Sequence, residues 1–170
     1  MTQISERRRT APVLLGIASV VLVADQATKA VALATLSPGA TTPVIDGVFH
    51  WTLQRNPGAA FGLFGRFPIV FTILALMITV GILLALKKVP DTPHAVALGL
   101  ILGGADGNLV DRLVRDPGFL RGEVVDFIDL RVWPVFNIAD SAIVCGAILL
   151  VIANWRAERA ARTVRASADD

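Results

Sequence analysis

The sequence predicts an all-α membrane protein: four transmembrane helices with a small extracytoplasmic β-structure. Three observations carry that reading. Hydrophobic side chains make up 54% of the 170 residues and the mean hydropathy is +0.65, above the apolar share of roughly 45–50% typical of soluble domains. The apolar residues gather into four segments, each near the ~20 residues that a helix needs to cross about 30 Å of hydrocarbon at 1.5 Å per residue. The two connections on one side of those segments contain patches of period-2 alternation. Together they read as a single integral membrane domain over 1–170.

The first span, APVLLGIASVVLVADQATKAVALATL (11–36), follows Arg7, Arg8 and Arg9 and stops at the turn-rich SPGATTP. A cleaved signal sequence has an apolar core of only about 7–15 residues. This run is longer and carries Asp25 and Lys29, so it is read as an uncleaved first helix. The connection 37–66 contains GVFHWTL, which fits a short strand at the membrane surface. The second span, FPIVFTILALMITVGILLAL (67–86), ends at KKVPDTP, and the third, HAVALGLILGGADGNLVDRLV (94–114), is apolar in its first half only. The connection 115–138 contains a second strand-like patch, EVVDFIDLRV. The fourth span, 137–155, opens with FNIADS and leads into the charged, alanine-rich tail 156–170, expected to be a fraying cytoplasmic helix.

Charge sets orientation. Arg7, Arg8, Arg9, Lys87, Lys88, Arg156, Arg159, Arg162 and Arg165 flank one face in short segments, which makes that face, with both termini, cytoplasmic. Arg55, Arg66, Arg112, Arg115, Arg121 and Arg131 spread over longer stretches on the other. A net charge of +2 with no basic stripe interleaved with aromatics excludes a nucleic-acid partner. The lone Cys145 allows no intrachain disulfide and reads as a small buried hydrophobe. His50 and His94 are isolated from each other and show no metal-ligand spacing.

The polar residues inside the spans fall at one depth. Counted from the cytoplasmic side at 1.5 Å per residue, Asp25 lies about 20 Å in, Lys29 about 26 Å and Asn108 about 21 Å, with Asp111 and Arg112 one turn further out. The fourth span runs inward, so Asn137 and Asp140 at its start join the same outer layer, as does NPGAAFG (56–62). Each ionisable side chain at the bilayer centre costs about 2.5–3.5 kcal/mol on insertion scales. A layer of them implies a site near the extracytoplasmic face. Asp25 and Lys29 have the favourable i, i+4 order of a helical ion pair, and Asn108, Asp111 and Arg112 share a helix face. Mutual neutralisation, Asp25 with Lys29 and Asp111 with Arg112, is the bland alternative for those pairs. Asp126 has no such local partner.

The blocks DQATK (25–29), RNPGAAFG (55–62), GGADGNLVDR (103–112), VVDF (124–127) and FNIADS (136–141) resemble, in order, the signature blocks of the lipoprotein signal peptidase family, signal peptidase II. The resemblance covers essentially 12–155. It implies a bacterial inner-membrane aspartic endopeptidase that removes signal peptides from diacylglyceryl-modified prolipoproteins, cutting before the lipidated cysteine. On that resemblance the catalytic pair falls on Asp126 and Asp140. The supporting and substrate-binding residues fall on Asp25, Lys29, Asn56, Asn108, Asp111, Arg112 and Asn137. The chain departs from the family in a longer connection between GNLVDR and VVDF and in Asp106, where an apolar residue is expected; Asp129 is a rival to Asp126, ranked second because VVD carries the match.

Two carboxyl groups held about 3 Å apart in a partly dry pocket cannot both ionise. One then takes a proton from water while the other hydrogen-bonds the scissile carbonyl. Asp140, at a helix N-terminus, is favoured as the ionised partner by the helix dipole. No metal or other cofactor is expected, since Asp111, Asp126, Asp129 and Asp140 follow no EF-hand spacing. The resemblance implies the lipidated precursor and membrane lipid as partners, and a monomer is expected. The alternative, an ion-coupled membrane transporter, also places carboxylates and a lysine in the bilayer, but its sites lie at the midplane between repeats; here the polar groups sit at one face, and no repeat is evident.

Overall fold

The computed structural model describes residues 2–58 and 68–166; the latter part of NPGAAFG (56–62) and Arg66 lie outside the described residues. Helix α1 (Thr2–Thr35) leads to strands β1 (Thr41–Ile45) and β2 (Phe49–Asn56). Helix α2 (Pro68–Ala85) turns through a 3₁₀ segment, Leu86–Lys88, into α3 (Thr92–Val114), followed by strand β3 (Val124–Asp129) and helix α4 (Ile138–Ala166).

Among the described residues three helices are long and apolar enough to cross a membrane, over Thr10–Thr35, Ile69–Lys88 and Ile138–Thr163. The remaining helix, α3, is comparable in length at 23 residues but carries Asp106, Asp111 and Arg112 in its second half. It is the centre of the bundle, packed against α1, α4 and α2. Lipid gives helices no hydrophobic drive to associate, so close backbone approach through small residues must supply the packing. On α3 adjacent glycines face opposite neighbours. A Cβ on Gly103 would lie 2.6 Å from the Ala18 carbonyl oxygen of α1, and one on Gly104 would strike the Ala139 carbonyl of α4.

α2 differs from the others. It packs chiefly on α3, and most of its large side chains, among them Ile69, Val70, Ile73, Leu76, Met77, Val80, Leu83 and Leu84, are exposed. An apolar helix that is exposed almost all round is stable against lipid, not water. At its C-terminal end Ile82 joins Leu14, Ala18, Val89, Ala95 and Leu102 in a small apolar core. Asp91 caps α3 there, accepting from the His94 amide at 3.0 Å. The His94 ring bridges Asp91 (2.6 Å) and Asn154 of α4 (3.2 Å), which ties the start of α3 to α4.

The strands form an antiparallel sheet in the order β1-β2-β3 at the other end of the bundle. His50 pairs with Asp129 and Gln54 with Asp126, so four steps along β2 oppose three along β3. That bulge brings Gln54 and Asn56 onto the face that carries Asp126.

The candidate span Thr10–Thr35 agrees with the first span expected over 11–36, within a helix that begins at Thr2, and the tail expected to be helical is so through Ala166, continuous with α4. Other expectations need correction. β1 has no forerunner in the sequence pattern: TTPVI does not alternate and all its residues are exposed. Its Pro43 is tolerated because β1 is an edge strand. Cys145 is exposed on α4, not buried. Both strand-like patches, GVFHWTL and EVVDFIDLRV, do form strands, β2 and β3.

Candidate active site

The buried polar side chains gather at the sheet end of the bundle. Lys29 and Asp25 are fully buried on α1, Asp111 is fully buried on α3, and Asn137 is fully buried just before α4. An ammonium has three protons to place. The Lys29 ammonium lies 2.8 Å from Asp25 Oδ2 and 2.7 Å from Asp111 Oδ2, and donates to Asn108 Oδ1 at 3.0 Å. A second cation, Arg115, meets Asp111 Oδ1 at 2.6 Å. Two carboxylates and two cations therefore cancel, and a buried ionic cluster is tolerable only in that state.

The cluster holds backbone as well as charge. Asp25 Oδ1 accepts from the Ala139 amide at 3.0 Å, in the first turn of α4, and Asp111 Oδ2 accepts from the Val125 amide of β3 at 3.2 Å. One charged knot thus fixes α1, α3, β3 and α4 relative to one another. Asn137 and Asp140 form a reciprocal cap: the Asp140 amide donates to Asn137 Oδ1 at 2.9 Å and the Asn137 amide to Asp140 Oδ2 at 3.2 Å. This is the capping-box arrangement of a helix N-terminus.

From the knot the polarity passes outward through side-chain amides. Because Lys29 donates to Asn108 Oδ1, the Asn108 amide must turn its NH₂ the other way, where it donates to Asp140 Oδ1 at 2.8 Å. The Asn137 NH₂ donates to Asp126 Oδ1 at 2.6 Å, and the Asn56 NH₂ to Asp126 Oδ2 at 2.9 Å. Asn56 is oriented in turn by the Gly58 amide, which donates to its Oδ1 at 2.9 Å. Each carboxyl group of the pair is held at both oxygens. Two rigidly held carboxyls at one surface are a preorganised acid–base constellation.

Asp126 and Asp140 line one cavity of about 660 Å³, together with Asn56, Asn108 and Arg112. Its opposite wall is apolar: Phe71, Leu74, Ala75 and Ile78 from α2, and Ile143 from α4. Burial, reinforced by the neighbouring charge of Asp140, pushes the Asp126 carboxyl up to about 7 against the opposing effect of the Asn56 and Asn137 amides and the charge of Lys29. At pH 7 a large share of that group is protonated, a state in which a carboxyl can give a proton. Arg112, 6% exposed, lies with its guanidinium 5.6 Å over the Phe71 ring and within the electrostatic reach of Asp126 and Asp140.

The structure brings together all nine residues expected from the sequence. It corrects one pairing, since Asp111 bonds Lys29 and Arg115 while Arg112, its chain neighbour, turns toward the cavity. Adjacent helical residues do not face each other. Asp129 does not line the cavity; it accepts from Thr52 (3.0 Å), the Arg131 amide (2.8 Å) and the Arg131 guanidinium (3.4 Å). Burial alone would raise that carboxyl, but these donors hold it below the usual range. Asp106 accepts from the Thr79 hydroxyl of α2 at 2.5 Å.

Two members of the cluster lie outside the sequence expectation. Gln26 Nε2 reaches Asp25 Oδ2 (3.2 Å), the Gly107 carbonyl (3.0 Å) and Asp111 Oδ1 (3.2 Å). Gly107 permits this close approach because it has no side chain: a Cβ there would lie 2.6 Å from Asp25 Oδ2. Arg115, expected in the loop, caps α3 instead, and its i, i+4 relation to Asp111 is the signal in the sequence that points to it.

Residues 17–156 match the family model of signal peptidase (SPase) II, peptidase A8. Among curated proteins, the lipoprotein signal peptidase of Mycobacterium avium (strain 104) is 49% identical over 139 residues, which is 82% of this chain and 76% of that protein. The lipoprotein signal peptidase of Mycobacterium tuberculosis (strain ATCC 25618 / H37Rv) is 50% identical over 139 residues, 82% of this chain and 69% of its own length. A solved structure described as a bacterial membrane enzyme, obtained by the in meso method at 2.3 Å resolution, superposes with a TM-score of 0.74 at 34% identity, covering 84% of this chain and 87% of that one.

Proposed function

Since the chain belongs to the signal peptidase II family and, as a bacterial multi-pass membrane protease, removes signal peptides from prolipoproteins, we propose that it does so as an aspartic endopeptidase whose acid–base pair is Asp126 and Asp140. The observation that carries this is the shared cavity: two carboxyl groups, each held at both oxygens by amide donors, face the same space. The substrate is the diacylglyceryl-modified precursor, cut before its lipidated cysteine. The chain acts as one membrane peptidase domain over 1–170, without a resident cofactor, and as a monomer in membrane lipid. α3 crosses with the other three helices, its ionised half sheltered by α1 and α4. Both termini are cytoplasmic and the sheet end, with the cavity, faces outward.

In the reaction, water lies between the two carboxyl groups and the scissile carbonyl. Asp140, supported by the first turn of α4, takes a proton from the water as its oxygen bonds the carbonyl carbon. Asp126 gives its proton to the carbonyl oxygen. When the tetrahedral intermediate collapses, the C–N bond breaks, the amine nitrogen takes the proton held by Asp140, and Asp126 recovers its own from the hydroxyl. Arg112 supplies positive charge as negative charge develops on oxygen. Asn56, Asn108 and Asn137 hold the carboxyls in register, Lys29 holds Asn108, and Asp25 and Asp111 hold Lys29 and the backbone of α4 and β3.

The test is cleavage by the purified protein, in detergent or lipid, of a diacylglyceryl-modified precursor and its unlipidated twin. The lipidated one alone is expected to be cut, and EDTA is expected to leave the rate unchanged. Inhibition by EDTA reversed by a divalent ion would favour a metal hydrolase. The acid role also predicts a pH profile: Asp126 must be protonated, so the rate falls as pH rises through about 7. A rate still climbing at about pH 9 contradicts the assignment.

A further inference from the structure

One carboxylate in the bundle has no part in this chemistry. Asp106 lies in the middle of α3, and its Oδ1 accepts from the Thr79 hydroxyl of α2 at 2.5 Å. A carboxyl group inside a membrane bundle is costly, so its presence calls for a role. α2 is otherwise an apolar rod whose large side chains are mostly exposed, and it packs chiefly on α3. One turn-spaced face of it carries two hydroxyl anchors: Thr72 donates to the Leu120 carbonyl at 2.9 Å near its start, and Thr79 to Asp106 two turns on.

The position of this second anchor matters. Ile78 and Ala75 on α2 and Ala105 on α3 line the cavity, while Thr79 and Asp106, their chain neighbours, do not. The hydrogen bond therefore sits immediately behind the apolar part of the cavity and joins the two helices that form it. The same wall continues through Leu74 and Phe71 to the guanidinium of Arg112.

We propose that Asp106 is a positioning and specificity residue: through Thr79 it sets the distance of α2 from α3, and so the width of the apolar groove that receives the acyl chains of the lipidated substrate. This rests on the reading of the cavity as a lipoprotein signal peptidase site. It concerns binding of the lipid, not bond cleavage, because Asp106 lies outside the cavity that Asp126 and Asp140 line.

The experiment compares wild type with Asp106→Ala, Asp106→Asn, Thr79→Val and Thr79→Ser on two precursors that differ only in acyl length, one with short and one with long chains. Interhelical hydrogen bonds in membranes are modest, so the alanine and valine variants should raise KM about three- to tenfold, with kcat within about twofold of wild type. They should also change the long-to-short preference in kcat/KM. The Asn and Ser variants, which keep an acceptor and a donor, should restore both. A structural role alone lowers the active fraction, hence kcat, equally for both precursors; that result, or unaltered kinetics in Asp106→Ala, overturns the proposal. Wild type that cuts neither precursor would instead refute the peptidase reading.

Discussion

Asp126→Asn and Asp140→Asn are each expected to reduce cleavage of a diacylglyceryl-modified precursor by about 10²- to 10⁴-fold, the usual loss when a positioned acid or base is removed. The double variant should be hardly worse than either single one, because in the proposed mechanism the two groups act on one water as a unit. The substitution is nearly isosteric and its amide oxygen still accepts from one of the two donors at each site, at the expense of the other bond, so the variants should insert and fold. Stability supplies a second readout. The folded Asp126 carboxyl titrates near 7, above the ordinary 3.8, so between those values the folded state holds a proton that the unfolded state has lost. Stability from this group is therefore present at low pH and declines as pH rises through about 7. An amide at this position does not titrate, so the difference in Tm between Asp126→Asn and wild type should move in the variant's favour between about pH 5 and pH 8. An unchanged difference, or wild-type turnover by a purified variant, would remove Asp126 from the assigned role.

Much of this site is legible in the chain because its parts are expensive. Asp25, Lys29, Asn108, Asp111, Asn137 and Asp140 interrupt apolar runs, and the fixed rise of a helix is enough to place them at one depth. Partner choice does not follow from spacing alone. Arg112 is adjacent to Asp111 in sequence, yet helical geometry sends the two in different directions, and Arg115 takes the ion pair. Gln26 is silent for another reason. A neutral amide beside Asp25 carries no charge pattern, and its three contacts depend on how closely the Gly107 backbone approaches α1. β1 is a purely tertiary result: its exposed residues, Pro43 included, become a strand only because β2 offers them a partner. Asp106 stands out as a carboxylate, but its partner lies 27 residues away on another helix.

The largest effect on folding is expected at Lys29. Removing its charge in Lys29→Met leaves Asp25 and Asp111 opposed only by Arg115, so one buried negative charge has no counterion. Breaking a buried pair in this way costs about 3–5 kcal/mol, enough to lower Tm in detergent substantially and to reduce the inserted yield. Restoring neutrality separates the two tasks of the lysine. When Lys29→Met is combined with Asp25→Asn, Asp111 and Arg115 balance, and the new side-chain amide oxygen at position 25 remains an acceptor for the Ala139 amide. Much of the lost stability should return. Activity should not, because the Lys29 ammonium also donates to Asn108 Oδ1 and thereby directs the Asn108 NH₂ to Asp140. Without that donor the Asn108 amide is free to rotate, and a carbonyl oxygen turned toward Asp140 would repel the charge that Asp140 carries in the proposed mechanism. Thermal unfolding and precursor cleavage measured on wild type, the single variant and the double variant distinguish the outcomes. Recovery of Tm without recovery of rate supports a relay from lysine through asparagine to the base, whereas joint recovery would reduce Lys29 to a counterion.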